Sequence, residues 1–252
     1  MITRNELKYY TNILQKKFRN NENKFLAEGK KIILEGLKSR CRIDKILVTE
    51  KFLEKEKEYT KRLRSLKTEI IKVKSQDFRR ISDTKSPEGI AAAFEIQKDK
   101  INLSSIKDSV IVYIEDISDP GNLGTIIRNC DWFGIKNVLL SKESAEVYNP
   151  KVIRASMGSI FHLNIFEDIG LNEILKLKET GYEFVCSDLS GINIFNFKKK
   201  KHTLLFLANE SNGPSAQLRL ITDKVVTIEG KGRAESLNVA SASAVLLSEL
   251  TK

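Results

Sequence analysis

Short, wholly apolar runs that alternate with helical stretches constrain the second half of this chain more than any other feature. Val110-Ile111-Val112-Tyr113-Ile114 is apolar at every position and rich in β-branched and aromatic residues. That is the pattern of a strand covered on both faces in a parallel sheet, where a half-solvated strand would alternate. Residues 138–140, 183–186, 203–207 and 225–228 repeat the type, separated by stretches with helical spacing. Strand following helix in this way predicts an α/β domain, whose ligand site belongs where the chain leaves a strand at its carboxyl end.

The elements before residue 97 are shorter. The spacing predicts an opening helix to about residue 19, a strand and turn at 25–29, and a helix at 30–39 that places Ile33, Leu34 and Leu37 at helical intervals. A strand at 43–49, a charged helix at 50–66, a strand near 69–73, a helix near 76–81 and a strand at 89–96 complete a small α/β unit. Residues 97–105 are polar and keep no period. A chain of 252 residues exceeds one small domain. The reading is therefore a first domain at 1–97, a linker at 98–108 and a second domain at 109–252.

Charge separates the two halves. Residues 1–100 hold 26 Lys+Arg against 15 Asp+Glu, whereas residues 101–252 hold 17 against 18, so the net +10 of the chain comes from its first part. A basic unit joined to a neutral one fits a polyanion-binding module beside a catalytic or structural one, because Lys and Arg neutralise phosphates; a solvated, lysine-rich surface is the plainer alternative. Lys198-Lys199-Lys200-Lys201 is a solvated loop or an RNA phosphate contact.

Several classes are excluded. Cys41, Cys130 and Cys186 are odd in number and widely spaced, which indicates neither a disulfide framework nor a zinc knuckle and points to a reducing compartment. The N-terminus has no apolar signal run and no segment has the apolar length of a membrane span, so a cytoplasmic protein without membrane partners is expected. With only His162 and His202 and no carboxylate cluster of ligand spacing, no metal is expected, and His162, between Phe161 and Leu163, reads as a strand residue.

The candidate site lies in three loops, 119–128, 208–214 and 228–238. Asp119-Pro120-Gly121-Asn122 is turn chemistry, with Asn122 a candidate N-cap for the next helix, and Arg128 is a cation on an otherwise apolar helical stretch, either salt-bridged or functional. In 205–214 a strand opens into small and amide residues that let backbone approach a ligand. Gly230-Lys231-Gly232 begins like a dinucleotide fingerprint, but Glu235 occupies the third glycine position, so NAD chemistry is not supported. Ser236 reads as the cap of a final helix at 237–250.

At these residues the chain resembles a known family. DPGNLGTIIRNCDWFG, LANESNGPS and ESLNVASASAVLLSE are similar to the three ordered motifs of the SpoU (TrmH-like) branch of the SPOUT RNA methyltransferases. FLAEGKKIILEGL and SDTKSPEGIAAAF are similar to that family's N-terminal substrate-binding domain. The resemblance implies a C-terminal domain with a deep trefoil knot, S-adenosyl-L-methionine as cofactor, a homodimer, and methyl transfer to a ribose 2′-hydroxyl of ribosomal or transfer RNA. It places Ala208, Asn209, Glu210, Gly213, Ile228 and Leu237 at the cofactor, and Arg128, Asn122, Glu210, Ser236 and Asn238 at positions linked to catalysis. Ala208, Pro214 and Glu229 depart from the family pattern.

Ribosomal RNA is the expected substrate, with a transfer-RNA methyltransferase, or an RNA-binding protein of the same fold with little catalysis, as alternatives. A guanidinium stays protonated at accessible pH, which favours Arg128 as an electrostatic stabiliser of developing alkoxide over a general base.

Overall fold

The computed structural model describes residues 1–97, 102–209 and 212–252. They form two compact units, Met1–Lys98 with Tyr148–Phe161, and Asp99–Val147 with His162–Lys252.

The first unit opens on two helices where the sequence suggested one, α1 (Arg4–Ile13) and α2 (Lys16–Glu22). Thr3 and Glu6 form a capping box that starts α1, and the chain turns extended at Gln15. Arg19, almost fully buried, donates from Nη1 to the carbonyls of Ile13 (3.0 Å) and Leu14 (2.6 Å), satisfying acceptors that the end of α1 leaves open. There follow β1 (Lys24–Glu28), α3 (Lys30–Lys38), β2 (Ile43–Thr49), α4 (Glu50–Lys55), α5 (Lys57–Arg64), β3 (Glu69–Val73), α6 (Ser75–Phe78) and β4 (Ile90–Glu95). The charged helix expected at 50–66 is thus two helices, parted at Glu56, whose ψ of 58° is not helical. The strand order is β1-β4-β2-β3, with β2 and β3 parallel and β4 antiparallel to both neighbours. Leu7, Tyr10 and Ile13 of α1 close over Leu26, Leu47, Ile71 and Ala93 of this mixed sheet.

The second unit contains β5 (Val110–Glu115), α7 (Pro120–Trp132) and β6 (Asn137–Leu140). Next in the chain is α8 (Pro150–Ser156), which belongs to the first unit. The domain boundaries read from sequence kept 148–161 in the second domain; in the structure the Tyr148 ring packs at a tilt against Phe25 (centroids 4.6 Å apart) and Phe161 against Phe94 (4.9 Å). Aromatic burial of this kind carries the segment into the first core.

The second unit resumes with β7 (Asn164–Phe166), α9 (Leu171–Glu179), β8 (Glu183–Asn193), β9 (Thr203–Ala208), α10 (Ala216–Ile221), β10 (Lys224–Thr227) and α11 (Val239–Leu250). Six described strands form one parallel sheet, ordered β10-β8-β9-β5-β6-β7. Tyr113, Phe184, Phe206, Leu177 and Leu204 fill one of its cores. Of the stretch read as a linker, residues 98–101 lie outside the described residues, and Leu103–Ser105 form a 3-10 turn whose Leu103 is buried in this core. His162 is in a turn ahead of β7 and not in a strand, with Nδ1 2.8 Å from Asp131 Oδ2.

The strand β8 departs from regularity where it matters for the site. Cys186 pairs with Val225 but Ile192 pairs with Val226, so residues 187–191 bow out of the sheet. Gly191 returns the chain against β10 at a point where a Cβ would sit 2.6 Å from the Val225 carbonyl oxygen, which leaves room for no side chain.

Candidate active site

The chain runs outward from β5 through β6 to β7 on one side, while β8, β9 and β10 lie on the other, so the sheet changes direction between β5 and β9. Ligands of parallel sheets bind beyond the carboxyl ends at such a point. The last residues of β5 and β9, Glu115 and Ala208, are paired neighbours there.

A cavity of about 790 Å³ opens at these strand ends, and Ala208, Asn209, Gly213, Ile228, Ser236 and Leu237 all line it. The volume suits a ligand of nucleoside size. Five of the residues expected at a cofactor therefore share one cavity; the sixth, Glu210, lies outside the described residues. Val239, Ala242 and Leu246 make one apolar wall from α11. The bowed-out loop of β8 supplies Asp188, whose carboxylate is ion-paired with Arg219 of α10.

The loop after β9 is fixed from β5. Asn209 Nδ2 donates to the Asp116 carbonyl (2.9 Å), and the Glu115 carboxylate accepts from Ser215 Oγ (2.7 Å) and the Ser215 N–H (2.9 Å). Between them Gly213 takes a positive φ of 64° and its N–H donates to the Asn209 carbonyl (2.8 Å), closing a tight turn. Glu115 and Asp188 were missed by the sequence reading. The one signal for Glu115 was a carboxylate ending a strand that is otherwise apolar.

The helix caps differ from those expected. Asp119, not Asn122, caps α7: its Oδ1 accepts the Asn122 N–H (2.8 Å), with Pro120 in the first turn where its missing N–H costs nothing. Likewise Asn238, not Ser236, caps α11, accepting from the N–H groups of Ala240 (3.0 Å) and Ser241 (3.3 Å). The side chains so freed do other things. Asn122 Oδ1 accepts from Asn238 Nδ2 (2.9 Å), joining the starts of α7 and α11, and Ser236 faces the cavity. Two turns further along α7, Asn129 Nδ2 donates to the Ala240 carbonyl (2.8 Å) and to Ser243 Oγ (2.9 Å).

Arg128 lies on this α7 and is exposed, with no hydrogen bond or ion pair among the described residues, so the salt bridge that sequence left open is absent there. It is not part of the cavity lining, nor are Asn122 and Asn238. An exposed, uncompensated guanidinium offers a bidentate donor to an incoming anion. The buried thiols offer no nucleophile: burial pushes Cys186 up to about 12 and Cys130 higher still. Among the described residues, no group of three or more His, Cys, Asp or Glu is placed to hold a metal.

Comparison with known families agrees with this geometry. Residues 109–248, which carry the sheet, α7 and α11, match the SpoU rRNA methylase family. The chain belongs to that family. Residues 4–92, most of the first unit, match an MRM3-like substrate-binding domain. The 23S rRNA (guanosine(2553)-2′-O)-methyltransferase RlmP of Bacillus subtilis is 31% identical over 248 residues, covering 97% of this chain and 95% of the relative. A 23S rRNA (uridine(2479)-2′-O)-methyltransferase of Streptomyces viridochromogenes is 29% identical over 199 residues, covering 75% and 69%. The crystal structure of the SpoU methyltransferase AviRb from the same organism, in complex with AdoMet, superposes with a TM-score of 0.89 at 25% identity, covering 99% of this chain and 97% of that one.

Proposed function

We propose that this protein transfers a methyl group from S-adenosylmethionine to a ribose 2′-hydroxyl of ribosomal RNA. The observation that carries the reading is that two sequence-distant motifs line one strand-end cavity and the third is tied to them by the hydrogen bond from Asn238 to Asn122, in a chain of the SpoU family whose relatives act on 23S rRNA.

The residues present fit the cofactor. Ala208, Ile228, Leu237 and Leu246 offer an apolar slot for a purine, and the loop around Asn209 and Gly213 offers backbone groups at close range. Bound there, S-adenosylmethionine supplies a methyl group activated by its sulfonium charge. The work of the chain is then to position the ribose hydroxyl and to favour its loss of a proton. Arg128 stabilises the developing alkoxide and the adjoining phosphate by charge, since a guanidinium has no lone pair to accept the proton. Asn122 and Asn238 hold α7 and α11 in register, Ser236 contacts the ligand in the cavity, and Glu210 acts from the same loop as Asn209.

In this reading the protein works in the cytoplasm as a homodimer with the C-terminal chain threaded as a trefoil knot. Trp132 supports the dimer: it is 82% exposed on α7, one turn beyond Arg128, and a second copy would cover it.

The test is incubation of the purified protein with S-adenosylmethionine and either unmodified 23S rRNA or transfer RNA, followed by mapping of 2′-O-methyl positions. A single modified ribose in 23S rRNA is expected. Methyl on transfer RNA alone would move the substrate, and binding of RNA without cofactor binding or turnover would leave only an RNA-binding protein.

A further inference from the structure

Summed over residues 101–252 the charge is near zero, yet the fold sorts it. Every strand of a parallel sheet begins at the same edge, so the segments leading into β5, β6, β9 and β10 gather there, bringing Lys107, Lys136, Lys198, Lys200, Lys201 and Lys224, all exposed. The carboxyl-end edge, beside the cavity, is mixed by contrast: Asp116, Asp119, Asp168, Asp188 and Glu229 stand among Lys142, Lys231 and Arg233. We propose that the amino-end edge of the six-strand sheet is a second RNA contact, in which the lysine run at 198–201 and its neighbours hold backbone phosphates of the substrate away from the methylated ribose. The inference rests on the RNA reading above.

This edge is built rather than loose. The 3-10 turn Ile194–Asn196 buries Ile194 ahead of the run. Behind it, His202 Nδ1 lies 3.0 Å from the Asp108 carbonyl, on which Tyr182 Oη also donates (2.7 Å), and the Thr203 N–H donates to the Ser109 carbonyl (2.9 Å). The acids at this edge are largely engaged. Asp223 is ion-paired with Lys178 (2.8 Å), Asp108 accepts from Asn137, and Glu183, its side chain 4% exposed, faces Lys200 at 3.5 Å; Glu179 alone of these is exposed and unpaired. The ammonium groups of Lys107, Lys136, Lys198, Lys201 and Lys224 have no hydrogen bond or ion pair among the described residues.

Flexible ammonium groups in a row, undercompensated by carboxylates, suit a phosphate backbone, which binds by charge and needs no base contact. The two edges are separated by the strand length, on the order of 15–20 Å, a distance that a few nucleotides of RNA can bridge.

The experiment compares the wild type with Lys198→Glu/Lys201→Glu and Lys198→Gln/Lys201→Gln, using a 23S rRNA transcript for binding and calorimetry for S-adenosylmethionine. At about 0.1 M salt the charge-reversed protein is expected to bind the transcript more weakly, on the order of tenfold, with a salt slope lower by about 1.4–1.8 for two lost phosphates. The glutamine variant should fall between. Cofactor affinity and turnover at saturating RNA should be unchanged. An unaltered RNA affinity and slope in the charge-reversed protein overturns the contact, as does a parallel loss of cofactor affinity. If the wild type methylates the transcript while the variants bind it normally, only this contact falls; if the wild type neither binds nor methylates RNA, the methyltransferase reading falls with it.

Discussion

The cavity has two unlike walls. On one side Val239, Ala242 and Leu246 of α11 line it, and α11 is tied to α7, which does not itself line the cavity, by side-chain amides at two levels, Asn122 to Asn238 and Asn129 to Ala240 and Ser243. On the other, residues 229–238 are exposed at every position, and a Cβ placed on Gly230 or Gly232 would touch nothing within 4 Å. The first wall is set before any ligand arrives, and the second is free to adapt. In the proposed reaction the helix pair would hold the catalytic geometry and the loop would close around the ligand.

The largest effect expected from this contrast is at Arg128. Its exposure and lack of partners predict that Arg128→Ala keeps the wild-type melting temperature, while methylation falls by roughly 10²–10³-fold, the scale of removing one electrostatic stabiliser. Turnover close to wild type would remove the residue from the mechanism. Asn238 comes next. Asn238→Ala loses both the cap of α11 and the bridge to Asn122, so a destabilisation of about 1–2 kcal/mol by urea titration should accompany a fall in turnover. Asn238→Asp separates the two roles: a carboxylate still caps the helix but cannot donate to Asn122 Oδ1. Stability near wild type with reduced turnover is the expected outcome, and unchanged turnover would show that the bridge has no catalytic consequence.

Much of this was legible in the sequence, for identifiable reasons. An apolar run such as 110–114 has few alternatives to a buried parallel strand, and loops rich in Gly and Asn are forced to strand ends by the backbone they permit. The cap assignments erred because Asp, Asn and Ser are nearly equivalent as N-caps, so propensity could not choose Asp119 over Asn122 or Asn238 over Ser236. The choice was made by tertiary contact: Asn122 and Asn238 are hydrogen-bonded to each other across the starts of the two helices. The bow in β8 that delivers Asp188, and the transfer of 148–161 to the first core, depend on Gly191 meeting β10 and on Phe161 meeting Phe94. Neither meeting leaves a periodic trace along the chain.

The adaptable wall makes a smaller prediction. Gly230→Ala and Gly232→Ala should leave the melting temperature within about 1 °C, because the added methyl meets open space, yet change the affinity for S-adenosylmethionine a few-fold by restricting the loop. Loss of stability comparable to that of Asn238→Ala would erase the distinction between the walls.

The smallest effect is a chemical one that reads the fixed wall directly. Cys130 lies in α7 with its thiol fully buried, and Cys186 is held at about 12, whereas Cys41 is partly exposed. Burial raises both core thiols above their ordinary value of 9.0, so the unfolded chain gives up these protons before the folded one does. Their contribution to stability is accordingly constant below pH 9 and declines as pH rises from there towards 12. At pH 8, alkylation of the folded protein should therefore mark Cys41 first, and mass spectrometry should find Cys130 modified only as fast as α7 opens. In Asn238→Ala that opening loses one of its restraints, and Cys130 should react several-fold faster while Cys41 does not change. Equal labelling of Cys130 in the two proteins would mean that the amide bridge does not hold α7 against α11, and that apolar packing alone fixes the wall.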